Sequence, residues 1–380
     1  MSPEDLAALP PVARLMVRLC EIPSPSRQEA AVAEVVRAEL RAMGAEVHED
    51  DAAATLPAGC GNIVGRFPAT APGTPIMFAS HLDTVPVAGP IEVALEDGVL
   101  TNRHEAILGG DNKAAVAAML EGMRRVVEEG RPHAGVELVF TPCEEIGLRG
   151  AHAFDPAPLA ARFGFVYDHT GPVGDVVGAA PSLHRVTATF VGRGAHAGIT
   201  PESGRSAILA AARAIGRMPL GRIDAETTAN VGTVAGGTAT NVVAERCTIT
   251  AEARSRDERA LTIQLTAMLD ALAWAASECE VDLETHVEKE FTSYRLGEGE
   301  PHVRMALDVL AGLGHRTRLV PSGGGSDVNA FILNGFPSVN LCNGMKDVHT
   351  PRESIAVASL EQMLDVTLGL VDAAREPAAA

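Results

Sequence analysis

Histidines and carboxylates that follow apolar, β-like runs are the residues of this sequence best placed to do chemistry. His81 and Asp83, in SHLDTVP, come after residues 75–80. Glu144 and Glu145, in TPCEEIG, come after residues 136–141, and Asp168, in YDHTG, after residues 163–167. Asp111, in LGGDNKAA, adds a carboxylate at a helix start where two glycines let the backbone approach closely and the helix dipole favours an anion. His349, in DVHTP, supplies a second imidazole near the C terminus. Charged groups at strand ends cost energy unless they are paired or metal-bound. Two imidazoles and several carboxylates without cysteine are the donor set of a catalytic divalent cation, not of a structural zinc site.

Charge counting favours two cations over one. If Asp111, Glu145 and Asp168 all coordinate, about three negative charges meet one dication; two dications and a hydroxide leave the cluster neutral. Glu144 is then not needed as a ligand. One member of the Glu pair ligates while the other reaches the activated water, whose pKa the metals lower toward roughly 7. Asp83, two residues after His81, is of the type that accepts a ligand's second ring proton and fixes its tautomer.

These residues require elements to bring them together. Residues 28–43 follow Ser24-Pro25-Ser26, are rich in helix formers, and stop at Gly44. Short β-like runs at 62–66, 75–80, 136–141 and 163–167 are bounded by Gly and Pro. A helix is expected over 113–129, with Val116, Leu120, Met123 and Val127 on one stripe. Strands alternating with helices predict an α/β sheet, whose strand carboxyl ends line the ligand crevice. From about Pro181 the texture changes: strands at 185–192, 229–234 and 246–253, with helices at 206–218 and 257–278, predict an inserted α+β domain. Leu261, Leu265, Met268 and Leu272 give its last helix an apolar stripe that core packing explains. LGEGEP at 296–301 reads as a linker, after which a helix at 303–313 and a strand at 337–342 resume the first pattern. The expected domains are 1–182 with 297–380, and 183–296. The Ala-rich tail at 376–380 is expected to fray.

Composition removes several classes. In 380 residues, 31 basic against 49 acidic side chains give a formal charge of −18, which repels phosphate backbones and argues against nucleic acid. At 46% hydrophobic the chain is globular, yet no uninterrupted apolar run long enough to cross a bilayer occurs. The N terminus lacks a secretion signal, so the expected address is cytoplasmic, with no membrane partner. Cys20, Cys60, Cys143, Cys247, Cys279 and Cys342 are widely spaced, without Cys-x-x-Cys, and most read as buried small hydrophobes. No Gly-x-Ser-x-Gly occurs, which discards a serine hydrolase.

The motifs SHLDTVP, GGDNKAAVAAML, TPCEEIGLRGA, YDHTG, GRGAHAGITPESGRSA, TNVVAERCTITAEARS, GGGSDVNAF and DVHTPRESI cover nearly the whole chain. Together they resemble the di-zinc aminoacylase, carboxypeptidase G and peptidase T metallopeptidases, and peptidase-T-like members most closely. The resemblance implies a mixed-sheet, phosphorylase/hydrolase-like catalytic domain with an inserted ferredoxin-like lid and dimerisation domain. It implies two divalent ions, zinc first with cobalt or manganese as alternatives: His81 and Asp168 on one, Glu145 and His349 on the other, Asp111 bridging. It makes Glu144 the base and proton shuttle, and implies a cis peptide between Asp111 and Asn112. In the insertion it makes His196 the group that polarises the scissile carbonyl, in dimers often from the partner subunit, and Asn241 and Arg254 substrate-binding residues. The loop 323–327, around Gly324, would cradle substrate through its backbone. His169 and Thr170 stand where many relatives carry small residues, which predicts a narrower or more polar pocket beside Asp168.

The expected activity is amide hydrolysis in small peptides, of the tripeptide aminopeptidase type. A carboxypeptidase or a deacylase of N-acyl amino acids is the alternative within the same family. Outside it, VGRGAHAG offers Gly192, Gly194 and Ala197 after a strand as a loose dinucleotide fingerprint, the basis of an oxidoreductase reading. That reading leaves His81, Asp111, Glu145, Asp168 and His349 unexplained. A metal-dependent binding protein without catalysis is the third class.

Overall fold

The computed structural model describes Met1 and residues 3–375; the tail expected to fray, 376–380, lies outside the described residues. Four strands, Val136–Thr141, Ile76–His81, Gly164–His169 and Ser338–Cys342, run parallel side by side in that order. Each is buried over most of its length and largely apolar, as a strand covered on either side must be. Antiparallel neighbours flank them: Ile63–Phe67 and then Glu46–Glu49 on one side, Asp175–Ala180 on the other. The sheet is therefore mixed, within a nine-stranded arrangement.

The helix Gly110–Glu128 is irregular at its start, where Asp111 and Asn112 have non-helical dihedrals, so regular helix begins at Lys113 as the sequence predicts. Val116, Leu120 and Met123 are fully buried, but Val127 is 42% exposed and Val126 takes its place. The expected stripe is corrected there: a step of three from Met123 keeps to the buried side, and a step of four leaves it. Small residues bury most of this helix's circumference between the helices Pro11–Cys20 and Val357–Ala373 and the strand Ile76–His81.

The chain divides into two compact units. The first comprises Met1–Gly178, Arg295–Ser322 and the chain from Ser326 onward; the second comprises Ala179–Tyr294 with Gly323–Gly325. Against the expected limits of 183 and 296, the second unit starts and ends a few residues earlier and also takes in three glycine-loop residues. Its strands Ser182–Val191, Thr227–Gly236, Arg246–Ser255 and Asp282–Phe291 form an antiparallel sheet. The helices Ala207–Arg217 and Glu258–Cys279 pack on it, giving a βαββαβ unit with the first strand between the third and fourth. By length and composition Glu258–Cys279 could cross a membrane, but Leu261, Met268, Ala271, Leu272 and Ala275 are buried in this unit's core. Leu265, expected with them, is only partly buried. Asp257 caps that helix by accepting from the amides of Arg259 and Ala260.

Candidate active site

All the donor residues of the first unit sit at or just past the carboxyl ends of the parallel strands, except Asp111 at its helix start and His349 on a C-terminal loop. The structure gathers them into groups whose donor atoms lie within 4.8 Å of one another: His81, Asp111 and Asp168; Asp111, Glu145 and His349; and His81, Glu144 and Glu145. Asp111 belongs to two of these groups through different oxygens. Its Oδ1 lies 3.5 Å from His81 Nε2 and its Oδ2 lies 3.3 Å from His349 Nε2. His81 Nε2 is 3.7 Å from Asp168 Oδ1, and His349 Nε2 is 3.1 Å from Glu145 Oε1. The Asp111–Asn112 peptide is cis.

Electrostatics fit a pocket made for cations. Among the described residues, His81 and His349 are the only positive groups within ion-pair distance of Asp111, Asp168 and Glu145. Burial works against a charged His81, yet Asp111, Asp168 and Asp83 outweigh it and hold its pKa well above the ordinary value. Hydrogen bonds that His349 donates to the carboxylates of Asp111 and Glu145 raise its pKa to about 10. Burial lifts Asp168 to about 7 against the pull of His81. Burial also raises Glu144 well above the usual carboxylate range, with Asp168, Glu145 and Asp327 adding to it. The raised imidazoles and the raised Asp168 and Glu144 mark a cluster with excess negative charge, which divalent cations would balance.

Asp83 requires a correction. Its carboxylate was expected to take the second ring proton of His81, but the nearer acceptor for Nδ1 is the Asp83 backbone carbonyl, at 2.9 Å; the carboxylate stands off at 3.6 Å. That carboxylate has closer partners. It accepts the amides of Glu144 at 2.8 Å and Glu145 at 3.2 Å and the Ser26 hydroxyl at 2.6 Å. With three closer donors on it, this carboxylate acts on the His81 ring from a distance and fixes the turn that presents the two glutamates.

Other buried groups that the sequence reading passed over do similar work. Glu29 accepts from the amides of Arg27, Gly59 and Cys143, at 2.7, 2.7 and 3.2 Å, and so anchors the turn preceding Glu144. Asn340 brackets the backbone of Asp168, accepting its N–H at 2.8 Å and donating to its carbonyl at 2.9 Å. Asp327, in the quoted GGGSD motif, is buried and accepts from Thr141 Oγ1; burial raises its pKa to about 6. No fixed spacing ties any of these to its client, so only buried, non-ligand polar identity could have flagged them. His169 is partly buried, and burial lowers its pKa, leaving a neutral imidazole beside Asp168.

The remaining site candidates belong to the second unit. His196 and Asn241 are exposed on neighbouring segments, joined by the hydrogen bond from Ala197 N–H to the Asn241 carbonyl at 2.9 Å. His196 Nδ1 accepts the Gly198 amide at 3.1 Å. Arg254 already makes a two-pronged pair with Glu252, at 2.8 and 3.0 Å. Gly324 is partly exposed, and the next residue, Gly325, lies where a Cβ would meet the Phe291 ring at 2.6 Å. The loop Gly192–Ala197 follows the strand Ser182–Val191 and leads only to the short 3₁₀ turn Pro201–Ser203. There is no helix start to receive a pyrophosphate, which removes the basis of the dinucleotide reading.

The model of peptidase family M20/M25/M40 matches residues 77–373, a span that holds every donor named above. The chain belongs to this family. Among solved structures it is similar to aminopeptidase PepT from Bacillus cereus ATCC 10987, 36% identical over 96% of this chain and 98% of that one, with a TM-score of 0.85. It is similar to a tripeptidase from Staphylococcus aureus subsp. aureus Mu50, at 34% identity, the same coverage and a TM-score of 0.90. A more distant fold relative is a Bacillus subtilis protein described as a dinuclear metal binding peptidase of the M20 family. It is 16% identical over 95% of this chain and 97% of that one, with a TM-score of 0.69. Membership in the M20 family and likeness to peptidase-T-type enzymes agree with the mixed α/β architecture described above.

Proposed function

We propose that the chain is a metal-dependent, peptidase-T-like hydrolase that cleaves an amide bond in small peptides, of the tripeptide aminopeptidase type. The observation that carries this reading is the shared carboxylate: Asp111 turns one oxygen to His81 and the other to His349. His81 and Asp168 would hold one divalent cation, Glu145 and His349 a second, and Asp111 both. Zinc suits this nitrogen and oxygen set, with cobalt or manganese as alternatives. When bound, such ions polarise the scissile carbonyl and lower the pKa of an attacking water toward about 7.

The chain's own groups do the rest. Glu144 accepts a proton from the attacking water and delivers it to the leaving amine. His196 donates to the oxyanion as it forms. Asn241, the backbone around Gly324 and the planar fork of Arg254 bind substrate, the fork suiting a carboxylate once released from Glu252. In this reading the second unit is a lid that excludes water, and also the surface of a homodimer. Residues 230–236 of its strand Thr227–Gly236 are paired on one side only among the described residues. Ile208, Val234 and Val242 nearby in the unit are exposed by 44, 52 and 40%, which suits a protein contact.

Metal analysis of the purified protein with a peptide panel tests the whole. Two divalent ions per chain and cleavage of free tripeptides, lost when the N terminus is blocked but kept when the C terminus is amidated, is the expected pattern. The reverse pattern makes it a carboxypeptidase, cleavage of N-acyl amino acids makes it a deacylase, and a metal-free protein that cuts none of these ends the proposal.

A further inference from the structure

Glu353 is a carboxylate left 1% exposed, and a charge so buried needs donors on its oxygens. It lies four residues after His349 in the segment DVHTPRES and leads directly into the strand Ser354–Ala356, which pairs with Val99–Asn102. Its own N–H donates to the Thr350 carbonyl at 3.0 Å, and Lys346 and Ser354 exchange backbone hydrogen bonds at 2.9 and 3.1 Å. These bonds close the loop that carries His349. Across the chain, Glu353 Oε2 accepts the amide of Gly109 and Oε1 accepts the amide of Asp111, both at 2.9 Å. Gly109 has φ 72°, in the left-handed region, and the two amides converge on one acceptor with two oxygens, an anion-binding concavity made of backbone.

The loop side needs such an anchor. His349 itself sits at φ 63° with its side chain 48% exposed, so neither packing nor backbone preference fixes the imidazole. We propose that Glu353 is a positioning residue: its backbone closes the turn that bears His349 while its side chain grips the backbone of Asp111, setting the spacing between two donors 238 residues apart. This rests on the two-ion reading above, and it assigns the second ion, the one between Asp111 and His349, as the one whose affinity Glu353 controls.

Glu353→Gln keeps the volume but turns an NH₂ toward one of the two amides, leaving a buried donor without an acceptor. Glu353→Asp keeps the charge and shortens the reach, and serves in the same comparison where the Gln variant does not fold. The control is Glu137→Gln. That carboxylate is equally buried, holding Arg66 at 2.7 Å and the Ala161 amide at 2.9 Å at the opposite end of the strand Val136–Thr141. Metal-free full-length proteins are titrated with Zn²⁺ by calorimetry, and bound zinc is counted after gel filtration. Wild type is expected to take two ions. The Glu353 variants should take the second about 10–100-fold more weakly, the usual loss for groups that orient metal ligands, and lose less at the first, which keeps His81 and Asp168. Glu137→Gln should lower the melting temperature and leave both affinities alone. Wild-type affinity for both ions in the Glu353 variants, or an equal loss in Glu137→Gln, overturns the assignment. Uptake of fewer than two ions by wild type fails the two-ion reading first, and this inference with it.

Discussion

The two units hold their candidate residues in opposite ways. In the first, a buried polar group grips the backbone at or beside most donors: Asp83 at Glu144 and Glu145, Asn340 at Asp168, Glu353 at Asp111. In the second, His196 and Asn241 are exposed on loops, and the Arg254 fork is spent on a neighbour two residues away on its own strand. The difference separates two tasks. A metal site must exist before the metal arrives, so its geometry is built into buried hydrogen bonds. Substrate-facing groups are ordered at the moment of binding, and exposure costs them nothing until then. Substitutions in the first unit should therefore register in metal content or in kcat, and those in the second in catalysis at unchanged metal content.

Glu144→Gln is the sharpest test, because it removes the proposed base without touching a donor of either cation pair. We expect kcat to fall by about 10²–10⁴-fold, the usual worth of a positioned general base, with both ions retained and the fold unchanged. Hydrolysis at the wild-type rate would remove Glu144 from the mechanism; loss of metal would make it a ligand. His196→Ala comes next. Loss of one oxyanion donor costs about 10²–10³-fold in kcat, and an exposed imidazole should leave metal content and melting temperature where they were. A drop in bound metal on His196→Ala would break the contrast between the units.

How much of this could be read from residue order depends on how local the cause is. The four parallel strands show as largely apolar runs that end at or shortly before His81, Glu144, Asp168 and the segment leading to His349, because a strand buried on both faces is mostly apolar and its end is where polarity can begin. The break at Asp111 shows in Gly109-Gly110. Groups that act through a distant backbone leave no such trace. Glu353 meets Gly109 across 244 residues and Glu29 meets Cys143 across 114, and an amide has no residue-type signature for a carboxylate to match. The same reason explains Asp83: adjacency to His81 suggested a ring partner, but the amides of Glu144 and Glu145, 61 and 62 residues away, claim the carboxylate. Val127 failed for a smaller cause, one helical step taken as four where the buried face needed three.

A smaller effect is expected at Arg254. Arg254→Met should raise KM about ten-fold for a peptide with a free carboxylate, the value of one charge-assisted hydrogen bond, and leave kcat, metal content and C-amidated peptides little changed. Glu252→Gln separates the two roles of the arginine. If Arg254 binds substrate, freeing its fork should lower KM; if it serves only to pair with Glu252, both substitutions should leave KM alone.

The least effect, and the one that compares the units without any substrate, is alkaline. Burial raises Cys20, Cys143 and Cys342 to about 12 from an ordinary value of 9.0, and raises Cys60 further, all in the first unit. Above pH 9 the unfolded chain loses these protons while the folded chain keeps them, so stability fully present below pH 9 declines as pH rises toward 12. Lys113 acts the other way: burial lowers it to about 8 from 10.5, so it adds stability between those values, while His349, raised to about 10, acts with the cysteines. In the second unit burial raises Cys247. Trp274, the sole tryptophan, reports on that unit. Between pH 8 and 10 the urea midpoint followed by far-ultraviolet circular dichroism should therefore fall further than the midpoint followed by Trp274 fluorescence, and Cys342→Ala should narrow the gap. Equal shifts by both probes would mean that the units unfold as one, so that the buried charges of the first govern the stability of both.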